Sequence, residues 1–107
     1  MSINFMEYVN KEEENRKEFQ FVNFDFFDGN DLVAKILYEK YGVEIGEKMD
    51  GIWFTIIPLY YEGDEYKLVW DEDFGNYIYS ESREDESIER MRVLVQIAID
   101  ELMQRMK

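Results

Sequence analysis

The chain contains no cysteine, so neither a disulfide framework nor thiolate chemistry is open to it, and the redox compartment is left unmarked. Histidine is also absent, which removes the commonest general base and metal ligand at neutral pH. A single proline, Pro58, argues against a hinged linker. No apolar run approaches the ~20 residues that a membrane-spanning helix needs, IWFTIIPLYY being among the longest. The start, MSINFMEYVNKEEE, lacks the basic opening and apolar stretch of a signal peptide. Bases are scarce: 12 Lys and Arg stand against 25 Asp and Glu, a formal charge of −13. Such a field repels phosphate backbones and anionic lipid surfaces, so direct nucleic-acid binding and membrane binding are disfavoured. A soluble cytoplasmic protein is the expectation, and a basic protein is the partner its charge would steer in.

What remains is ample for a core. With 46% hydrophobic and 17% aromatic residues over 107 positions, residues 1–107 read as one acidic domain of α+β class. Ile3, Met6 and Val9 recur at a spacing of three ahead of KEEENRKE, which predicts an N-terminal helix turning polar toward its end. In EFQFVNFDFF (18–27), Phe19 and Phe21 share one parity while Val22, Phe24 and Phe26 share the other. That pattern predicts a strand that changes face at a bulge, with a continued helix as the alternative. DGNDLVAKILYEKYG predicts a second helix capped by Asn30 or Asp31, with Leu32, Ile36 and Leu37 inward and Gly42 just past its end. IWFTIIPLYY and EYKLVW flank Glu62–Gly63–Asp64 as a hairpin, and NYIYS follows the Asp73–Asn76 turn as a third strand. Pro58 cannot donate to a ladder, so it belongs at an edge, a strand end or a bulge.

A long C-terminal helix completes the chain, with Ser82 as its cap and Ile88, Met91, Val95, Ala98 and Leu102 as its buried stripe. VLVQIAI (93–99) is apolar nearly all round. It implies deep packing, or a face for a second copy of the chain. The expected architecture is an antiparallel sheet of three to four strands, with N-terminal helices and the C-terminal helix packed on it.

Catalytic signatures are missing. There is no glycine-rich phosphate loop, nucleophile elbow or zinc spacing, and no two carboxylates stand out as an acid/base pair. DEDFGN superficially matches a calcium loop, but counting from Asp71 the glycine falls fifth and Ser82 occupies the twelfth position, so the spacing fails. The expectation is a non-enzyme with no cofactor and no metal. Trp53 and Trp70 both lie in predicted strands; Trp53 is expected in the core, whereas Trp70, beside three acids, is a candidate for the rim.

The most distinctive stretch is VWDEDFGNYIYSESREDESIE (69–89). It holds Asp71, Glu72, Asp73, Glu81, Glu84, Asp85, Glu86 and Glu89 against Arg83 as its one base. Glu84, Asp85 and Glu86 sit where a helix N-terminus favours carboxylates. The turn acids have no such local role, and acids interleaved with tyrosine make the composition of a protein-binding surface. Trp70, Asp71, Glu72, Asp73, Tyr77, Tyr79, Glu81, Glu84 and Asp85 are therefore the candidate partner-binding residues.

A compact αβ organisation, a short meander, no catalytic residues and the run DEDFGNYIYSESREDE together resemble the small acidic immunity proteins that bacteria make against their own secreted or contact-delivered toxins. The resemblance implies binding to a basic nuclease toxin and blocking its active site or RNA-binding groove. In addition, NYIYSESREDESIERM is similar to a strand-to-helix stretch of some phage anti-CRISPR inhibitors, which implies the alternative of a DNA mimic acting on a host nuclease. The apolar surplus of the last helix leaves a third reading, a structural or regulatory homodimer.

Overall fold

The computed structural model of the chain describes residues 2–106. Seven antiparallel strands form one sheet, and two helices pack on it, so the α+β class and the long C-terminal helix stand while the sheet is larger than expected. The additional strands are one at the N-terminus and two short ones beside the meander. Residues expected to form the first helix instead make β1 (Asn4–Asn10), which pairs as a hairpin with β2 (Arg16–Val22), a strand whose residues 18–22 fall in the stretch read as one. The spacing of Ile3, Met6 and Val9 is not a buried face: Ile3 is buried, but Met6 and Val9 are exposed. KEEENR is the connection, a single 3-10 turn at Lys11–Glu13 followed by Glu14 and Asn15 in left-handed backbone. Non-glycine residues rarely adopt that conformation, which is why no turn signal shows in the sequence.

Phe19 and Phe21 of β2 enter the core. The anticipated change of face occurs beyond the strand, where left-handed Asn23 redirects the chain and Phe24 returns inward. Helix α1 (Gly29–Tyr41) follows, with Val33, Ala34, Ile36 and Leu37 buried and Leu32 half-buried. Its N-cap is Asp28 rather than Asn30 or Asp31. Asn30 is fully buried within the first turn and donates to the Thr55 hydroxyl at 2.9 Å. Gly42 closes the helix in left-handed backbone, as its position predicts.

The meander β5 (Phe54–Tyr61), β6 (Asp64–Asp71) and β7 (Gly75–Ser80) is the hairpin and third strand read from the sequence. Two short strands, β3 (Glu44–Ile45) and β4 (Met49–Asp50), flank β5 on its outer side. Pro58 lies opposite the gap between them, and its carbonyl accepts from the Gly46 N–H at 2.8 Å. Backbone groups of one strand residue point the same way, so the proline nitrogen faces this gap and no ladder donor is lost. At the other border β1 pairs with β2 alone, without proline or bulge. The strand order is β1-β2-β7-β6-β5-β3, so the first hairpin docks beside the last strand.

Both helices cover the same face of the sheet, over Phe19, Phe21, Ile57, Leu59, Tyr66, Leu68 and Ile78. Helix α2 (Asp85–Arg105) buries Ile88, Met91, Val95, Ala98 and Leu102 as the spacing predicts, joined by Leu94 and Ile99. Most of VLVQIAI is thus spent on packing, with Val93 exposed and Ile97 half-buried. Glu84, not Ser82, occupies the N-cap; the Ser82 hydroxyl accepts from the Glu84 N–H at 3.2 Å. Among the described residues no helix is long and apolar enough to cross a membrane. Strand alternation sends the opposite set of side chains to the face without helices, in rows such as Tyr8, Glu18, Tyr79, Lys67 and Met6, Gln20, Tyr77, Val69.

Candidate protein-binding surface

At the end of the sheet where β2 and β6 finish and β5 and β7 begin, three connections meet: residues 23–28, 51–53 and 72–74. Several contacts hold them together. The Trp70 indole N–H donates to the Asp25 carbonyl at 3.2 Å, and the Phe27 ring meets the Trp70 ring edge-to-face with centroids 4.9 Å apart. The fully buried Asn76 amide donates to the carbonyls of Phe24 and Phe26 at 3.1 Å each. The Glu72 N–H reaches the Trp53 carbonyl at 2.9 Å. Gly75 has φ 75°, and a side-chain carbon added there would lie 2.9 Å from the Asp25 Cβ. Only glycine permits both the conformation and the close approach.

This end carries Asp25, Asp28, Asp50, Asp71, Glu72 and Asp73, and none of them has an ion-pair partner among the described residues. The segments NFDFFD (23–28), MDGIWF (49–54) and DEDFG (71–75) contain no lysine or arginine. Asp28 stands at the N-cap of α1, where a helix favours negative charge, without a side-chain hydrogen bond to it, and Asp71 caps its turn by accepting from the N–H groups of Asp73 and Phe74 at 2.8 and 3.2 Å. Asp25, Asp50, Glu72 and Asp73 have no such local role. Between the acids stand large apolar side chains in water: Ile52 is 85% exposed, Trp53 63%, and Phe26, Phe27 and Phe74 are similarly open. The sequence pattern places Trp53 in the core, and the structure corrects this. Trp53 falls in the link before β5, ahead of the first paired residue Phe54, so no strand turns it inward.

The nine candidate residues do not lie together. Trp70, Asp71, Glu72 and Asp73 belong to this end, with Trp70 half-buried as the support for Phe27. Tyr77 and Tyr79 lie half-buried on the helix-free face. The Arg16 guanidinium stacks 3.6 Å from the Tyr79 ring centroid and donates to one oxygen of Glu18 at 2.7 and 3.0 Å. Burial, reinforced by the charges of Glu18 and Asp71, pushes the Tyr77 phenol up to about 12. Glu81 lies at the far end of β7, paired with Lys67 at 3.2 Å, and Glu84 and Asp85 open α2 there. The strand between them puts these three about 17 Å or more from the turn acids.

Asp25, Asp28, Asp50, Trp53, Phe26, Phe27, Ile52 and Phe74 also belong to this surface and are absent from the sequence-based candidates. A signal for them was present: NFDFFD and MDGIWF combine acids with large apolar residues and lack a base, as WDEDF does. Among the described residues no cluster of acids is arranged to hold a metal ion. Carboxylates suited to cationic side chains and aromatics suited to buried area lie side by side on this surface. Compared with known proteins, the chain matches no family model, no curated protein and no solved structure.

Proposed function

We propose that the chain is a non-enzymatic inhibitor that docks this end onto the basic substrate groove of a nuclease, in the manner of an immunity protein neutralising a toxin. One observation carries the reading: carboxylates without ion-pair partners among the described residues are gathered beside solvent-exposed aromatics, with no base in the segments that bear them. Uncompensated charge of one sign lowers stability by self-repulsion. Exposed apolar side chains rimmed by acids are the anatomy of an interface core and its rim. A phage-type DNA mimic would use the same carboxylates, and identification of the partner separates the two inhibitors.

The test is affinity capture at low and high salt, followed by kinetics with Asp71→Asn, Glu72→Gln and Asp73→Asn combined. The amide introduced by Asp71→Asn would keep the acceptor that caps the turn, so the melting temperature should stay level or rise. Association should slow and its salt dependence flatten. Each acid that meets a desolvated Arg or Lys would account for ~2 kcal/mol or more of affinity, and each rim contact for a few tenths. An unchanged association rate and salt slope would refute the reading.

A second reading, self-association, is favoured by β1, a seven-residue border strand whose outer side pairs with no other strand among the described residues. Sedimentation at rising protein concentration distinguishes it.

A further inference from the structure

The helix-free face contains a cup of about 770 Å³ between the β1–β2 connection and the β6–β7 turn. Its walls include the rings of Tyr8, Phe74 and Tyr77 and the carboxylates of Glu12, Glu18, Asp71 and Asp73, against Lys11 as the one base. Beside it the chain displays what such a wall binds. Arg16 sits over the Tyr79 ring and donates its N–H groups to Glu18, a guanidinium held by a phenol ring and a carboxylate together. Tyr77 stands two residues along the same strand and on the same face, cross-strand from Gln20 as Tyr79 is from Glu18. Among the described residues no cation lies over its ring.

We infer that this cup is a guanidinium-binding site, filled in the proposed complex by an arginine of the partner stacked on Tyr77 with its N–H groups turned to Asp71 and Asp73. The assignment of the occupant to a partner rests on the inhibitor reading above; the cup itself does not. Three features support an arginine of the partner as the occupant. The planar guanidinium stacks on an aromatic face while donating in its own plane to carboxylates, which an ammonium on a flexible stem does less well. The lining is acidic, with Glu12, Glu18, Asp71 and Asp73 against Lys11, and Asp71 and Asp73 have no ion-pair partner among the described residues. The cup also adjoins the acidic end through Asp71, Asp73 and Phe74, so one partner could span both.

The experiment uses the full chain and a defined probe. N-acetyl-arginine amide is titrated against the protein by amide and aromatic NMR, with the lysine and citrulline counterparts in parallel at constant ionic strength. The expected result is saturable shifts confined to Gln20, Asp71, Asp73, Phe74, Gly75 and Tyr77 for arginine, severalfold weaker for lysine and absent for neutral citrulline. Tyr77→Leu, checked for folding by its melting curve, should weaken the arginine response about tenfold. Shifts that never saturate, spread over all exposed acids, or appear equally with lysine would overturn the site. With a captured partner in hand, Tyr77→Leu should slow binding little and speed dissociation. Unaltered dissociation would refute the cup as the arginine's seat while leaving the acidic-end reading intact. Saturable arginine binding without any salt-released partner would support the site and defeat the inhibitor reading.

Discussion

Replacing Asn76 with alanine should destabilise the protein by about 2–4 kcal/mol. Asn76 is fully buried at the start of β7, and its amide nitrogen donates to the Phe24 and Phe26 carbonyls at 3.1 Å each. Among the described residues no other side chain donates to these two carbonyls; the Phe26 carbonyl keeps the Gly29 N–H at 3.1 Å, so alanine would remove two hydrogen bonds and strand the Phe24 acceptor. A buried neutral hydrogen bond contributes about 1 kcal/mol net, and a stranded buried acceptor costs about 1–3 kcal/mol. The truncated side chain adds a small void beside Gly29, where the Asn76 nitrogen packs so closely that a side-chain carbon on the glycine would lie 2.6 Å from it. For a domain of this size the loss corresponds to a fall of roughly 10–25 °C in melting temperature. Urea titration followed by tryptophan fluorescence should show a lower midpoint with an unchanged m-value. Hydrogen exchange should quicken first across 23–28, the segment that carries Asp25, Phe26 and Phe27. Asn76→Asp should be worse at neutral pH, because it turns a carboxylate toward two carbonyl oxygens, and should recover partly on acidification as a protonated acid can donate once. An Asn76→Ala midpoint within about 0.5 kcal/mol of wild type would show that these hydrogen bonds contribute nothing net and that the loop is held by other contacts.

Leu102→Ala, at a side chain 3% exposed beneath α2, should cost about 2–5 kcal/mol by urea denaturation. Trp53→Ala should leave stability within about 0.5 kcal/mol, yet weaken a captured partner by ~2 kcal/mol or more in calorimetry if it anchors the interface. Hydrogen bonding from Arg90, aided by Ser87, holds the Asp64 carboxyl below the usual carboxylate range against the opposing effect of burial. A depressed folded-state pKa stabilises above the unfolded value of ~3.9 and ceases to do so as pH falls through the folded value. The stability gap between wild type and Asp64→Asn should therefore be full at pH 7 and close below about pH 4 in a denaturation series.

The parts of the fold that could be read were those whose side-chain period matched their surroundings. The strands of 54–80 are runs of β-branched and aromatic residues split by glycine-containing turns, with one face packed under helices, and 88–102 keep the three–four spacing of a helix with a buried stripe. The N-terminal hairpin was hidden for two reasons. Ile3, Met6 and Val9 imitate helical spacing although only Ile3 is buried, and the reversal at Glu14–Asn15 uses left-handed backbone without glycine. In the candidate surface, Trp70–Asp73 was legible as a local run. Its neighbours Asp25, Asp50 and Trp53 were not, because they come from segments far apart in sequence that only the β5–β6–β7 register and the Asn76 staple bring together. Trp53 looked like core because its flanking residues favour strands; one position decided whether it entered the ladder.

The placement of β2 beside β7 also sets an order of events in time. During synthesis the first hairpin emerges long before the strand that will flank it, with Phe19 and Phe21 still uncovered. A lone two-stranded hairpin is barely stable in water, whereas β5, β6 and β7 are joined by short turns and can close on one another at once. Joining ends distant in the chain costs loop-closure entropy before any contact repays it. The meander with α2 is therefore the expected nucleus, and the N-terminal hairpin is expected to dock last. Until β7 exists, the newborn chain presents an unpaired strand edge and bare phenylalanines, and its large negative charge is then what keeps neighbouring copies apart.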